Sequence, residues 1–130
     1  MYRKFSITAT EKPWTLNKER QWHYHTRSKN VKMWRDLFCE LAEEQKVPNM
    51  QRIKVSVVHT TRTANTPDTL SCASTVKAAI DGLRDAKVID DDTSRYVESI
   101  SFSAPYKTGT DTLTLHLEEV APLPGLVQTP

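Results

Sequence analysis

A chain of 130 residues and 14.9 kDa has the length of one ordinary domain, long enough to bury a single hydrophobic core. Hydrophobic residues make up 38% of it, too many for a disordered chain, and no apolar run approaches the ~18 residues of a membrane span. Two cysteines, Cys39 and Cys72, are too few for a disulfide framework or a zinc site, and the N-terminal residues contain no apolar stretch, so we do not expect a secretory signal. We therefore expect a cytoplasmic protein with reduced thiols and no membrane association.

The charge is distributed unevenly along the chain. Residues 1–62 hold 13 Lys and Arg against 6 Asp and Glu, whereas residues 63–130 hold 5 against 10. A basic half beside an acidic half is expected where one region attracts a polyanion and the other gathers carboxylates. The same split is also expected if the two regions simply attract each other or a second copy of the chain.

Hydrophobic periodicity predicts six regular elements. Alternating apolar residues indicate four strands, and apolar residues spaced three and four apart indicate two helices. In chain order these are a strand near residues 5–9, a helix over 31–46, a strand over 52–60, a helix over 72–87, and strands over 96–104 and 112–120. The order β-α-β-α-β-β is typical of one α+β domain with a small mixed sheet and two helices on one face.

The connections between these elements are polar. Residues 11–30 have no steady period and predict a long loop, a feature that is often functional. Gly109 predicts the turn of a hairpin that joins the last two strands. Residues 122–130 are rich in proline and predict a flexible tail after a domain that spans residues 1–121.

Acidic residues flank the second predicted helix. Asp68 precedes it, Asp90 to Asp92 follow it, and Lys77 lies between. Carboxylate oxygens suit Mg²⁺, and a lysine beside them is placed to stabilise the charge that develops on a phosphate under attack. A helix over 72–87 is ~24 Å long, so these acids meet only if the flanking segments fold back or two subunits combine. The alternative is a solvated acidic turn and a solvent-facing lysine.

Residues 12–35, which include most of the predicted loop, are rich in basic and aromatic residues. Basic side chains bind phosphates, and aromatic rings stack on unpaired bases or wedge between base steps. The candidate DNA-binding residues are Lys18, Arg20, Arg27, Lys29, Lys32 and Arg35, with Trp22 and Tyr24 between them. The alternative is a surface segment whose aromatic rings pack on the core.

The stretch from Asp68 to Val97 resembles the RusA family of phage and prophage Holliday junction resolvases, and is closest to its actinobacterial branch. Asp68 matches the first acid of the family motif, and Asp91 and Asp92 match its terminal acidic pair. Between them, the residues that match the helix of the motif are Thr75, Lys77, Asp81, Gly82, Leu83, Asp85 and Ala86.

The resemblance implies a RusA-like fold and a Mg²⁺-dependent endodeoxyribonuclease that resolves four-way DNA junctions in recombination and repair. It also implies a homodimer, encoded by a phage or prophage and present in the bacterial cytoplasm. On this interpretation Asp68, Asp91 and Asp92 are catalytic and hold the metal, and Lys77 is catalytic.

The sequence departs from the family motif at two positions in the first part of the motif. Leu70 stands where many members of the family carry a second acid, and Ser71 stands where they carry asparagine. These changes remove a ligand and a polar group that orients it. The alternative function is therefore a RusA-like protein that has lost cleavage and binds DNA or a host protein.

Overall fold

The computed structural model describes residues 2–123, so most of the predicted tail lies outside the described residues. Within these residues the chain forms three helices and five strands. In order they are β1 (Lys4–Ala9), α1 (Leu16–Gln21), α2 (Tyr24–Glu44), β2 (Ile53–Thr61), α3 (Ala73–Asp85), β3 (Val97–Phe102), β4 (Tyr106–Lys107) and β5 (Thr112–Glu119). Within residues 2–123 no helix combines the length and the apolar character needed to cross a bilayer.

The strands form one mixed sheet in the order β1-β5-β2-β3, with β4 paired to the end of β2. β5 is antiparallel to both of its neighbours, whereas β3 and β4 run parallel to β2. The predicted hairpin between the last two long strands is wrong, because β2 lies between β3 and β5. Gly109 instead adopts a φ of 95° and donates its N–H to the Thr61 carbonyl at 3.2 Å.

One face of the sheet is buried and the other is polar. The alternation in β2 is typical: Ile53, Val55 and Val57 are at most 1% exposed, whereas Lys54 and Ser56 are exposed. The helices supply the other half of the core, mainly through Trp34 and Phe38 of α2 and Val76, Ala79, Ile80 and Leu83 of α3. The predicted α+β class, with a small mixed sheet in one domain, is confirmed.

The prediction of a loop over residues 11–30 is wrong, because these residues contain α1 and the first turns of α2. The Thr15 hydroxyl caps α1 by accepting a hydrogen bond from the Lys18 N–H at 3.2 Å. Buried Trp14 anchors the segment, since its ring lies 5.6 Å from that of Trp22 and 6.5 Å from that of Trp34. The helical period is hidden because α1 and the first turns of α2 have no buried residues.

Both long helices end in the same way. After α3, Lys87 adopts a left-handed φ of 64°, its N–H donates to the Arg84 carbonyl, and the Val88 N–H donates to the Leu83 carbonyl. Lys46 does the same after α2, with a φ of 55°. This is the Schellman arrangement, in which glycine is the favoured left-handed residue because it has no Cβ.

We expect Lys87→Gly to stabilise the protein by about 1 kcal/mol, because it relieves the left-handed strain. The measurement is the free energy of unfolding from urea titration. Lys29→Gly, within α2, is the matched control and is expected to destabilise by about 1 kcal/mol. A loss of stability in Lys87→Gly would contradict the assigned helix end.

The two long helices approach each other closely at Gly82. A Cβ added to Gly82 would lie 2.3 Å from the backbone oxygen of Arg35 and 3.0 Å from the backbone nitrogen of Cys39. Both neighbouring atoms belong to the α2 backbone and cannot move aside as a side chain can. The glycine in the helix motif is therefore required by the crossing of α2 and α3.

We expect Gly82→Ala to lower the free energy of unfolding by about 2–3 kcal/mol, because the helices must separate to admit the methyl group. Urea titration again measures it. Gly109→Ala is the contrasting control: its added Cβ meets no atom within 4 Å, so only its positive φ resists the change, at about 1 kcal/mol. Equal losses in both variants would argue against the close crossing.

Candidate functional site

The chain reverses direction after α3 and returns along the helix. The buried side chains of Val88 and Ile89 hold the returning segment on the core. As a result Asp92 contacts Lys77, which precedes it by 15 residues. The segment after α3 therefore folds back along the helix and brings Asp92 to Lys77 within one chain.

Five charged residues meet on this side of α3, and we call them the α3 charge cluster. Lys77 Nζ lies 3.2 Å from Asp81 Oδ1 and also contacts Asp92 Oδ2. Arg84 Nη1 lies 3.6 Å from Asp91 Oδ1 and 3.8 Å from Asp92 Oδ1. The Asp92 N–H donates to Asp91 Oδ1 at 2.8 Å, so the two acids are held together. Lys77, Asp81 and Arg84 share one helix face because they are four and three residues apart.

The cluster keeps its central acid ionised. The hydrogen bond from Lys77 is the main cause that lowers the pKa of Asp92 to about 2, and smaller effects of Asp81 and Asp91 act in the same direction against partial burial. The hydrogen bond to Asp92 likewise raises the pKa of Lys77, with help from Asp81. At neutral pH the cluster therefore presents charged carboxylates and charged cations side by side.

The lowered pKa of Asp92 predicts an acid-sensitive contribution to stability. A carboxyl with a depressed pKa stabilises the fold above its unfolded pKa of ~3.9, and the contribution is lost as the pH falls through about 2. We expect Asp92→Asn to unfold about 1 kcal/mol more easily at pH 6, since Lys77 is largely exposed and the pair is screened. Near pH 2 the difference from the parent should vanish, as measured by urea titration at both pH values. A difference that does not change with pH would contradict the assigned ion pair.

Asp90 does not belong to the cluster. Its Oδ1 accepts a hydrogen bond from Asn49 Nδ2 at 3.1 Å, and the same amide group donates to the Lys87 carbonyl. Asp90 therefore helps to fasten the end of α3 to the loop after α2. This is a structural role, and it makes Asp90 a useful control for its two neighbours.

Asp68 lies in the loop before α3 and lines a groove of about 490 Å³ between that loop and α1. Arg20 of α1 lines the same groove, as do Leu70 and Ser71 of the loop that carries Asp68. Within residues 2–123 no group of three His, Cys, Asp or Glu side chains is close enough to hold a metal. The three predicted metal ligands are thus not assembled in a single chain, and a shared site for Asp68, Asp91 and Asp92 stays a prediction.

The predicted DNA-binding cations fall into two groups. Three of them form ion pairs: Arg27 with Glu19 at 2.6 Å, Lys32 with Asp36 at 2.5 Å, and Arg35 with Asp85 at 2.5 Å. The side chains of the other three have no acidic partner in the described part of the chain, and these are Lys18, Arg20 and Lys29. The second group carries the unbalanced positive charge on α1 and the start of α2.

The two aromatic candidates differ in exposure. Tyr24 is 72% exposed at the beginning of α2, so its ring is accessible to a ligand. Trp22 is half-buried and packs on Trp14, which matches the alternative in which the aromatic residues of this segment complete the core. The Trp14 indole N–H and the Arg27 guanidinium both donate to Glu19, which ties the segment together.

Both cysteines are free thiols. Burial is the main cause that raises the pKa of Cys39 and of Cys72 to about 11, so both are protonated at neutral pH. A thiol with a raised pKa is a poor nucleophile, and neither cysteine is a candidate for covalent catalysis.

The sequence interpretation missed Asp81 and Arg84 as members of the site. Asp81 was assigned only to the body of the helix motif, although its spacing of four residues from Lys77 predicts a contact. No local signal identifies Arg84, because its contact with Asp91 and Asp92 requires the chain to return along α3.

No protein-family model and no curated protein matches this sequence. The likeness to RusA resolvases therefore rests on the residues of the motif and stays a resemblance. The chemical features of the fold that bear on function are the α3 charge cluster, the Asp68 groove and the exposed cations of α1.

Proposed function

We propose that this protein is a Mg²⁺-dependent endonuclease that acts on branched DNA such as a four-way junction. The observation that supports this most directly is the contact between Lys77 and Asp92. The RusA resemblance assigns both residues to catalysis, and they come together although one lies on a helix and the other on the segment that returns along it. Three unpaired cations on α1 and α2 supply a surface for the phosphate backbone.

The donor set of the charge cluster is compatible with Mg²⁺. Mg²⁺ usually takes one or two carboxylates, keeps several waters and completes its shell with substrate phosphates. Asp91 and Asp92 would provide two adjacent carboxylates, and the low pKa of Asp92 keeps it ionised. When bound, the ion activates water and offsets charge on the leaving oxygen. Asp68 would contribute from the groove, either by movement of its loop or from a second subunit of a homodimer.

The residues of the chain itself have separate roles in this proposal. Lys77 exchanges its contact with Asp92 or Asp81 for a phosphate oxygen, and so places a positive charge where negative charge develops. Arg84 remains beside Asp91 and Asp92 and limits their mutual repulsion. Lys18, Arg20 and Lys29 hold the DNA through its backbone, which gives selectivity for shape more than for base sequence.

One observation favours a second candidate, in which the protein binds branched DNA or a host protein without cutting. Leu70 is 59% exposed at the position where the family carries its second acid. An exposed leucine neither binds a cation nor orients a neighbouring acid. This candidate keeps the DNA-binding surface and loses the metal, and the experiment below separates the two.

We expect the protein to nick a synthetic four-way junction in the presence of Mg²⁺, and Asp91→Asn/Asp92→Asn to reduce the rate by at least ~100-fold, since the two carboxylates proposed to hold the metal are lost. The readout is product formation on a denaturing gel. Asp90→Asn is the matched control, because it alters the same acidic triplet outside the charge cluster, and it should cut at the parental rate.

Binding of the same junction, measured in EDTA, distinguishes the remaining outcomes. Junction binding without nicking by the parent protein supports the second candidate. If Asp90→Asn and the double variant lose activity equally, the triplet acts only through the fold. If the parent binds the junction no better than linear duplex at about 0.15 M salt, both DNA functions fail and a protein partner is favoured.

A further inference from the structure

The groove that Asp68 lines is partly apolar as well as charged. Apolar side chains of Leu16, Pro67 and Leu70 line it together with Asn17, Arg20 and Asp68. Its volume of about 490 Å³ is within the ~300–1,000 Å³ that is usual for ligand sites. The Leu16 N–H donates to the Ser71 carbonyl at 3.0 Å, which joins α1 to the loop that carries Leu70. This backbone hydrogen bond connects the two sides of the groove at Leu16 and Ser71.

The side chain of Leu70 is exposed to solvent. It is 59% exposed, whereas Leu83 on the following helix is fully buried. Opposite the loop of Leu70, the Arg20 guanidinium lacks an acidic partner among the described residues. An exposed leucine and a free guanidinium across one groove match a ligand that is flat and apolar at one end and anionic at the other.

An unpaired nucleotide has this combination. Its base has two apolar faces, and leucine and proline side chains are among those that contact or separate bases in protein–DNA complexes. Its phosphate suits Arg20. Asp68 repels phosphate, so it orients the nucleotide with the phosphate towards Arg20, and its carboxylate accepts hydrogen bonds from the amino groups of a base. In an intact duplex the faces of the base are stacked and unavailable.

We propose that the Asp68 groove binds a single unpaired nucleotide of the DNA, with Leu70 against the base and Arg20 on its phosphate. The inference rests on the proposed function for the identity of the polymer and specifies which DNA is preferred: branched or distorted DNA that exposes a base. Leu70 thereby gains a role that the acid of the family motif at this position does not have.

The test compares two DNA molecules of about 30 base pairs that differ only by one unpaired nucleotide at the centre. Binding of the full chain is measured by fluorescence anisotropy in EDTA, so cleavage plays no part. We expect the parent to prefer the DNA with the unpaired nucleotide by about fivefold or more, and Leu70→Ala to abolish the preference while its affinity for paired duplex is unchanged. A 2-aminopurine placed as the unpaired base should change its fluorescence on binding to the parent and not to Leu70→Ala.

Ile100→Ala is the matched control, since Ile100 is an exposed apolar residue of β3 that does not line the groove. It should retain the preference. Equal affinity of the parent for both DNA molecules, or equal loss of preference in both variants, would overturn the inference. Neither result depends on nicking. If the protein prefers the unpaired nucleotide but never cuts a junction, nucleotide binding in the groove is supported and the nuclease function is not. If it cuts junctions but lacks the preference, nucleotide binding in the groove is refuted.

Discussion

The backbone contact between Gly82 and Arg35 joins the basic part of the chain to the acidic part. The carbonyl of Arg35 lies against Gly82 with no room for a side chain, while the guanidinium of the same residue pairs with Asp85 at the end of α3. Because backbone meets backbone, the spacing of α2 and α3 is fixed. The exposed face of α3, which carries Lys77, is thereby held in a constant position relative to the cations that begin α2.

The charge asymmetry of the sequence is only partly neutralised in the fold. Arg35 pairs with Asp85 and Arg3 pairs with Glu119, so basic residues of the first half meet acidic residues of the second. This agrees with the interpretation in which the two regions attract each other. Among the DNA-binding candidates, Lys18, Arg20 and Lys29 have no acidic partner in the part of the chain that the structure describes. Under the proposed function, DNA binding depends on these three residues more than on the total charge of the first half.

β1, β2, β5 and α3 could be predicted because each has one buried face. In β2, burial of Ile53, Val55 and Val57 imposes the alternation that is visible in the sequence. The alternation does not reveal the neighbour of a strand, and for this reason the parallel pairing of β2 with β3 was missed. α1 was missed for a different reason: its position depends on the packing of Trp14 against Trp34 and on a hydrogen bond from the Leu16 N–H to the Ser71 carbonyl, contacts between segments that are distant in sequence.

The candidate site, like the fold, depends partly on residue types and partly on contacts between segments that are distant in sequence. Residue types identified Asp92 and Lys77, but their contact depends on the return of the chain along α3. The contact also has a consequence for the proposed function. Lys77 is held by carboxylates in the free protein, so a DNA phosphate has to compete with Asp92 for it, and each phosphate that succeeds exposes an ionised carboxylate. Under the proposed function, DNA binding thus uncovers the oxygen ligands that Mg²⁺ requires, which couples arrival of the substrate to completion of the site.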